Sequence, residues 1–293
     1  MTILNIGSIN VDTVYHVRSL PMPGETMTAG KKTSGPGGKG LNQSVAIARA
    51  GAPIKHFGAV GDQDRWLVDA VVDLGLDASS IRLRADDTTG QAHVFLAADG
   101  ENSIVLERGA NFGLTREEVE DAVGQLLAGD WVLLQNETNA APFAMEAAKS
   151  RGLKVAYSAA PYVRDDVIPL LGKVDLLALN RIEFDQLLGE VGSIRSLPSG
   201  MALLVTGGRD GATYRSGDEE FSIGAFDVEV VDTTGAGDTF LGYFLAEMHL
   251  GAPPVDALRM ASAAAALQVT LIGSAPAIPA RADVMEFLKA RTS

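Results

Sequence analysis

From Thr115 onward, short and largely apolar runs alternate with helical stretches, and few architectures accept that order. The runs are Trp131–Leu134, Leu153–Tyr157, Val174–Leu179 and Ala202–Val205. Each is too short and too continuously apolar for a strand with one wet face, so each reads as a strand buried on both sides. Helical pattern covers Thr115–Leu127, Pro142–Ser150, a short stretch ending at Leu188, Ala236–His249, Pro254–Val269 and Arg281–Ala290. Thr115-x-x-Glu118 is a capping box at the first of these starts. Strand–helix alternation predicts an α/β fold with a central, mostly parallel sheet and helices on both faces. Upstream, Met1–Ile9 and Ile54–Val60 read as strands. Leu41–Ala50 and Trp66–Leu74 read as helices stopped by Gly51 and Gly75.

Two segments break the alternation. Asn10–Thr33 is punctuated by Pro21, Pro23 and Gly24, and Gln91–Ala97 with Ser103–Glu107 forms a hairpin pattern around Asp99-Gly100. They predict a small antiparallel β lid beside the main sheet.

The chain has 293 residues, long enough to bury a core without staples, and no cysteine, which excludes disulfides, zinc thiolates and a Cys nucleophile. His16, His56, His93 and His249 show no ligand spacing. A net charge of −13 argues against a nucleic-acid partner, yet leaves room for a nucleotide held by backbone N–H groups. Arg82 and Arg84 read as solvated surface. No apolar run approaches about 18 residues and no basic-then-apolar leader opens the chain, so a soluble cytoplasmic protein with no membrane contact is expected.

Two glycine-rich loops carry the chemistry. Gly35-Pro36-Gly37-Gly38-Lys39-Gly40 opens a helix and matches G-x-G-x-x-G, with Asp62 downstream. A dinucleotide fingerprint needs a buried strand before its first glycine, and Gly30–Ser34 is not one. A P-loop needs Ser or Thr after the lysine, where Gly40 stands. What remains is a loop that gathers backbone N–H groups, Lys39 and Asn42 for a polyhydroxy or anionic ligand; its plain alternative is a tight turn with helix-packing glycines. The second loop, Asp232-Thr233-Thr234-Gly235-Ala236-Gly237-Asp238-Thr239-Phe240, leads from an apolar run into a long helix. The helix end suits a phosphoryl group, and Asp238 beside it suits a base for a hydroxyl. The plain alternative is that Asp238 only favours the helix start.

Read together, the loops resemble the two signatures of the ribokinase-like (PfkB) carbohydrate kinase family, in order. Gly7-Ser8-Ile9-Asn10-Val11-Asp12 and Pro23-Gly24-Glu25-Thr26 resemble the start of that family. Gly37-Gly38-Lys39-Gly40-Leu41-Asn42-Gln43 resembles the first signature and Asp232–Phe240 the second. Gly100-Glu101-Asn102 and Gly109-Ala110-Asn111 are similar to segments of the ribokinases within the family. The resemblance runs end to end. It implies an α/β kinase core over 1–11, 34–87 and 109–293, and a discontinuous β lid over 12–33 and 88–108. It also implies ATP-dependent phosphorylation of a primary sugar hydroxyl, with ribose to ribose 5-phosphate the leading case.

By the same resemblance, Asp238 is the base, and the amides of Gly235, Ala236 and Gly237 form the anion hole. Asn10, Asp12, Gly38, Lys39 and Asn42 hold sugar hydroxyls, and Glu137 closes the far side. Asn180, Thr206, Gly208, Gly211, Gly237 and Ser262 line ATP. Glu183, in Asn180-Arg181-Ile182-Glu183, orients Mg2+ through water; capping is its plain alternative, as a hairpin turn is for Thr206–Gly211. Asp232, the Thr234 carbonyl and the loop around Gly273 match a monovalent-cation site, implying K+. A homodimer through the lid is also implied.

Departures from the family pattern are Ser158-Ala159-Ala160-Pro161, where Asn-Pro-Ala-Pro is common, a trimmed stretch from Gly189 to Gly200, and Ala277 in place of a Ser near the cation loop. The alternatives are a kinase for another sugar, a sugar acid or a nucleoside; a non-catalytic sugar-binding or regulatory protein on the same fold; and an oxidoreductase using a dinucleotide.

Overall fold

The computed structural model describes residues 1–99 and 101–291. Gly100, the second residue of the expected Asp99-Gly100 turn, lies outside the described residues, as do Thr292 and Ser293. Along the chain, β1 (Ile3–Ile6) leads into β2 (Asn10–Val17) and β3 (Lys31–Gly37), then α1 (Lys39–Arg49), β4 (Ile54–Gly61), α2 (Trp66–Asp73) and β5 (Ile81–Arg84). Next come β6 (Gly90–Ala97), β7 (Asn102–Glu107), α3 (Arg116–Gly124), β8 (Trp131–Gln135), α4 (Ala141–Ser150) and β9 (Lys154–Ser158). They are followed by α5 (Arg164–Val167), β10 (Leu176–Asn180), α6 (Arg181–Val191), β11 (Ala202–Thr206), β12 (Ala212–Ser216) and β13 (Glu219–Ile223). The chain closes with α7 (Ala236–His249), α8 (Pro254–Gln268) and α9 (Arg281–Ala290).

The main sheet has nine strands in the order β13-β12-β11-β10-β9-β8-β1-β4-β5; β12 and β13 run antiparallel and the rest are parallel. The period of two along each strand sorts side chains onto two faces. Leu133, Leu176, Ala178 and Leu204 join the core under α1, α7 and α8. Their neighbours Val132, Leu134, Leu177, Leu179, Leu203 and Val205 join the core under α3, α4 and α6. That double burial is why these strands read as continuous apolar runs. Truncating Leu133, which is 0% exposed, to Ala would cost about 2–5 kcal/mol.

Local chemistry sets the helix ends, with α6 running to Val191, beyond the expected Leu188, and α3 ending at Gly124, short of the expected Leu127. Thr115 and Glu118 form the capping box of α3, and Gly192, at φ 79°, ends α6. Between α6 and β11 there is only one short turn, Ile194–Ser196, so the trimmed stretch is a direct crossover.

The second sheet has the order β3-β2-β6-β7. Its outer pairs are antiparallel, as expected, and join through a parallel central pair running from Asn10 opposite Gly90 to Val17 opposite Ala97. The reason is geometric: β2 follows β1 and β6 follows β5, and β1 and β5 run parallel, so both lid strands leave the carboxyl ends of the main sheet in the same direction.

The strands that sequence pattern missed lie at or next to an edge of the main sheet. One is β5, whose Arg84 is not merely solvated: its Nη2 lies 2.5 Å from Glu118 Oε2 and donates to the Gly113 carbonyl at 3.2 Å. The others are β12 and β13.

The chain leaves β1 toward β4 and leaves its neighbour β8 toward β9, on the opposite side. A crevice opens beyond the carboxyl ends of strands where such a reversal occurs. Among the described residues, no helix is long and apolar enough to cross a membrane.

Candidate active site

Both glycine-rich loops arrive at this crevice. A Cβ on Gly40 would lie 2.3 Å from the Ser8 nitrogen, and one on Gly7 would lie 2.6 Å from the Gly40 Cα. No real side chain fits there, so these glycines let the first turn of α1 rest on the end of β1. The packing explanation of the loop is therefore correct. The same close approach delivers Lys39 and Asn42 to the crevice.

Asp238 stands in the first turn of α7. No side chain caps that helix, which begins at Gly235 in the left-handed region, φ 76°. A capless helix start presents its first amides and positive dipole end to a ligand. One expected anion-hole donor differs in detail: the Ala236 N–H donates to the Thr233 carbonyl, at a long 3.2 Å. Across the crevice, Asn42 Nδ2 donates to Asp238 Oδ2 at 3.0 Å and Gln43 Nε2 to Oδ1 at 2.9 Å. Each carboxylate oxygen keeps a second lone pair, so Asp238 is oriented yet still able to accept a proton.

On the lid side, Asn111 Nδ2 donates to Asn10 Oδ1 at 2.7 Å while Asn111 Oδ1 accepts from the Ile9 amide at 3.0 Å. Glu137, just past β8, accepts from Ser8 Oγ at 2.6 Å and from the Lys39 amide at 3.0 Å, and Ser8 Oγ accepts from the Gly40 amide at 3.1 Å. Glu137 thus ties the glycine loop to β8 as well as facing the crevice. Gly38, at φ 96°, turns the chain between Asn10 and Lys39.

Charge is concentrated here. Burial, with Glu137 and Asp238 nearby, pushes the Asp12 carboxyl up to about 7, against the pull of Lys39. Asp238 foremost, then Glu137, Glu183 and Asp12, holds the Lys39 ammonium above its ordinary range although burial works the other way. Lys39 is therefore charged, and it is set among carboxylates. Two acceptors in this cluster, Asp12 Oδ1 and Asn42 Oδ1, are buried with no hydrogen-bond partner in the protein. An unpaired buried acceptor costs about 1–3 kcal/mol, so such atoms point to a ligand that donates.

A cavity of 820 Å3 adjoins the cluster, lined among others by Lys39, Asn180, Glu183, Thr206, Gly208, Gly211, Ser262 and Gly235–Asp238. All the positions expected along ATP are brought together there. Lys39, expected among the sugar contacts, lines this larger cavity and so stands between the two. Thr206–Gly211 is the turn joining β11 to β12, and it borders the cavity too. Asn180 and Glu183 form a reciprocal cap: the Glu183 amide donates to Asn180 Oδ1 at 2.9 Å and the Asn180 amide to Glu183 Oε2 at 2.8 Å. Burial raises the Glu183 carboxyl; the Asn180 amide and Lys39 oppose the rise, and Asp238 adds to it. Ser262 Oγ donates to the Gly224 carbonyl at 3.3 Å. Among the described residues, no group of three or more metal-ligating side chains occurs.

The expected cation site holds a side chain of the protein itself. Asp232 accepts from the Thr234 and Gly273 amides, each at 2.9 Å. Burial would raise its carboxyl, but these bonds hold it below the ordinary range. The Thr234 and Gly273 carbonyls do converge, but on Gln268 Nε2, at 3.1 Å each, with the Ser274 carbonyl at 3.0 Å. A side-chain amide fills the place expected for K+ at Asp232, Thr234 and Gly273.

Sequence reading assigned no role to Ser8, Gln43, Asn111 or Gln268. Gln43 had a signal: it adjoins Asn42 in the first signature, and a fully polar residue at a buried helix position needs a partner. Gln268 had none, since a lone Gln at the end of an alanine-rich helix reads as surface.

A model of the "pfkB family carbohydrate kinase" family matches residues 2–281. The ribokinase of Haemophilus influenzae is 33% identical over 98% of this chain and 98% of its own, and that of Bacillus subtilis 34% identical over 97% and 98%. A deoxyribokinase of Salmonella typhi is 31% identical over 98% of this chain and 99% of its own. Among solved structures, ribokinase from Cryptococcus neoformans in complex with ADP superimposes with a TM-score of 0.87 at 29% identity, over 97% of this chain and 99% of the other. Arabidopsis thaliana ribokinase complexed with ribose and ATP gives 0.82 at 29%, over 98% of both chains.

Proposed function

This chain belongs to the pfkB family of carbohydrate kinases and is an ATP-dependent sugar kinase, and we propose that its sugar is ribose, phosphorylated on the primary hydroxyl to ribose 5-phosphate. The observation that carries the reading is the pair of orphaned acceptors, Asp12 Oδ1 and Asn42 Oδ1, set beside Asp238. Sugar hydroxyls supply the missing donors, and each also accepts, which suits the mixed donors and acceptors of Asn10, Asp12 and Asn42. Ribokinases among the relatives favour ribose. The deoxyribokinase keeps deoxyribose as the second reading.

In this reading ATP lies in the 820 Å3 cavity with its terminal phosphate toward Gly235–Gly237. Asp238 takes the proton of the sugar hydroxymethyl. The freed oxygen bonds to the γ-phosphorus as the bond to the bridging oxygen breaks, and ADP leaves with that electron pair. The α7 start and Lys39 stabilise the charge on the transferring group, which is where catalysis of such transfers lies. Asn42 and Gln43 keep the carboxylate aimed.

Mg2+ prefers one or two carboxylates with phosphates and water, and Glu183 on the cavity wall fits that; when bound it would neutralise phosphate charge. No monovalent cation enters this reading, because Gln268 fills the expected site. The lid is read as a dimer surface: Ile104, Val105 and Leu106 of edge strand β7 are 54%, 57% and 45% exposed, and a second copy would cover them. The use of ATP supports a cytoplasmic location.

The test is turnover with Mg2+ and ATP over ribose, deoxyribose, other sugars, sugar acids and nucleosides, beside Asp238→Asn. Ribose should be turned over best, and the variant should lose a factor on the order of 10² to 10⁴ in kcat while still binding ATP. Turnover confined to another acceptor replaces the sugar. Binding without turnover on any acceptor overturns the catalytic reading.

A further inference from the structure

Gln268 is 0% exposed. Its Oε1 accepts from Thr239 Oγ1 at 2.6 Å, and its Nε2 faces the carbonyls of Thr234, Gly273 and Ser274 at 3.0–3.1 Å. The orientation is not arbitrary. Turned end for end, the amide would set an oxygen against three carbonyl oxygens, which repel it. Three carbonyls aimed at one point, that of Ser274 buried and those of Thr234 and Gly273 part-buried, need positive charge or donated hydrogens there. The two hydrogens of one amide, shared among three acceptors, supply them from within the chain.

The position behind the catalytic turn gives this amide a consequence. Thr234 directly precedes Gly235, the residue from which α7 starts. A Cβ on Gly235 would lie 3.3 Å from Gln268 Nε2 and 3.5 Å from the Ser274 Cα, so the amide packs against the back of the turn. Thr239, which grips the other end of Gln268, lies next to Asp238 on α7. Asp232 completes the clasp through the Thr234 and Gly273 amides. Ala277 brings no hydroxyl oxygen that could join the three carbonyls.

We propose that the Gln268 side-chain amide replaces a monovalent cation behind the anion hole, so that this enzyme needs no K+ to hold Gly235–Gly237 in position. Gln268 is then a positioning residue. The proposal rests on the kinase reading for its effect on rate, but not for its effect on ion binding.

The experiment compares KCl with choline chloride at equal ionic strength, using choline salts of ATP, for the native enzyme and Gln268→Ala. Two quantities are read: kcat with ribose, and the melting temperature without substrates. The native enzyme should show the same kcat and the same melting temperature in both salts. Gln268→Ala should lose on the order of tenfold or more in kcat in choline. KCl should restore part of that loss and raise the melting temperature of the variant alone, since the emptied ring of carbonyls then accepts the ion. Activation of the native enzyme by K+, or a K+-specific rise in its melting temperature, overturns the proposal. So does a folded variant that responds to K+ in neither quantity. Should the variant not fold, the native comparison decides alone. Failure of the kinase reading would appear as no turnover in either salt, with the melting arm still deciding.

Discussion

Gln43 Nε2 lies 2.9 Å from Asp238 Oδ1, while Gln43 Oε1 accepts from Gln135 Nε2 at 2.7 Å. The carboxylate of the proposed base is thus held by a side chain that is itself held by the sheet. Gln135 in turn donates to Asn5 Oδ1 at 2.9 Å, and Asn5 Nδ2 to Ser44 Oγ at 2.8 Å. Gln43→Leu removes a hydrogen bond to a charged group and should lower kcat about 10- to 100-fold with little change in the KM for ATP. Steady-state kinetics at saturating ribose check this; a rise confined to the KM for ribose would place Gln43 in binding instead.

Asp12 gives the enzyme a pH signature. Its carboxyl is raised to about 7 by burial and by Glu137 and Asp238, so in the free enzyme ionisation there opposes folding. A raised carboxyl leaves stability intact below its unfolded value near 4 and removes it as pH climbs to about 7. Asp12→Asn should therefore melt higher than the native protein at pH 8, with the difference shrinking toward pH 4, and should raise the KM for ribose. Melting curves across that range test the sign.

The reciprocal cap of Asn180 and Glu183 can be separated from metal binding. Asn180→Ala should cost about 0.5–2 kcal/mol of stability through the lost cap, leaving the Mg2+ concentration for half-maximal rate unchanged. Glu183→Gln keeps an oxygen for the Asn180 amide but loses the charge, so it should raise that concentration with little change in melting temperature. Magnesium titrations and thermal melts on both variants distinguish the roles.

Val105→Lys places a charge in the exposed apolar stretch of β7. In sedimentation the native protein should run as a dimer at micromolar concentration and the variant as a monomer. A native monomer would remove the lid interface from the account.

The main sheet was legible because its strands are buried on both faces and two of its helices, α3 and α6, carry capping boxes; Thr115–Glu118 and Gly192 act through neighbours a few residues away. Asp238, Lys39, Asn42 and the glycine turns were legible because each loop is a contiguous signature. Edge strands β5 and β13, and β12 beside β13, were not, since strands at the margin of the sheet have weak pattern and are fixed by their neighbours. The parallel pairing of β2 with β6 was decided by where β1 and β5 end, a relation between segments about 80 residues apart in the register. Gln43, Asn111 and Gln268 acquire their roles only from partners that tertiary packing brings within 3.1 Å. The sequence by itself determined the strand–helix order, the two loops and the candidate base. The tertiary structure decided what orients that base and what stands behind the anion hole, because a hydrogen bond depends on distance and direction in space, and those are set by the packed sheet and helices rather than by spacing along the chain.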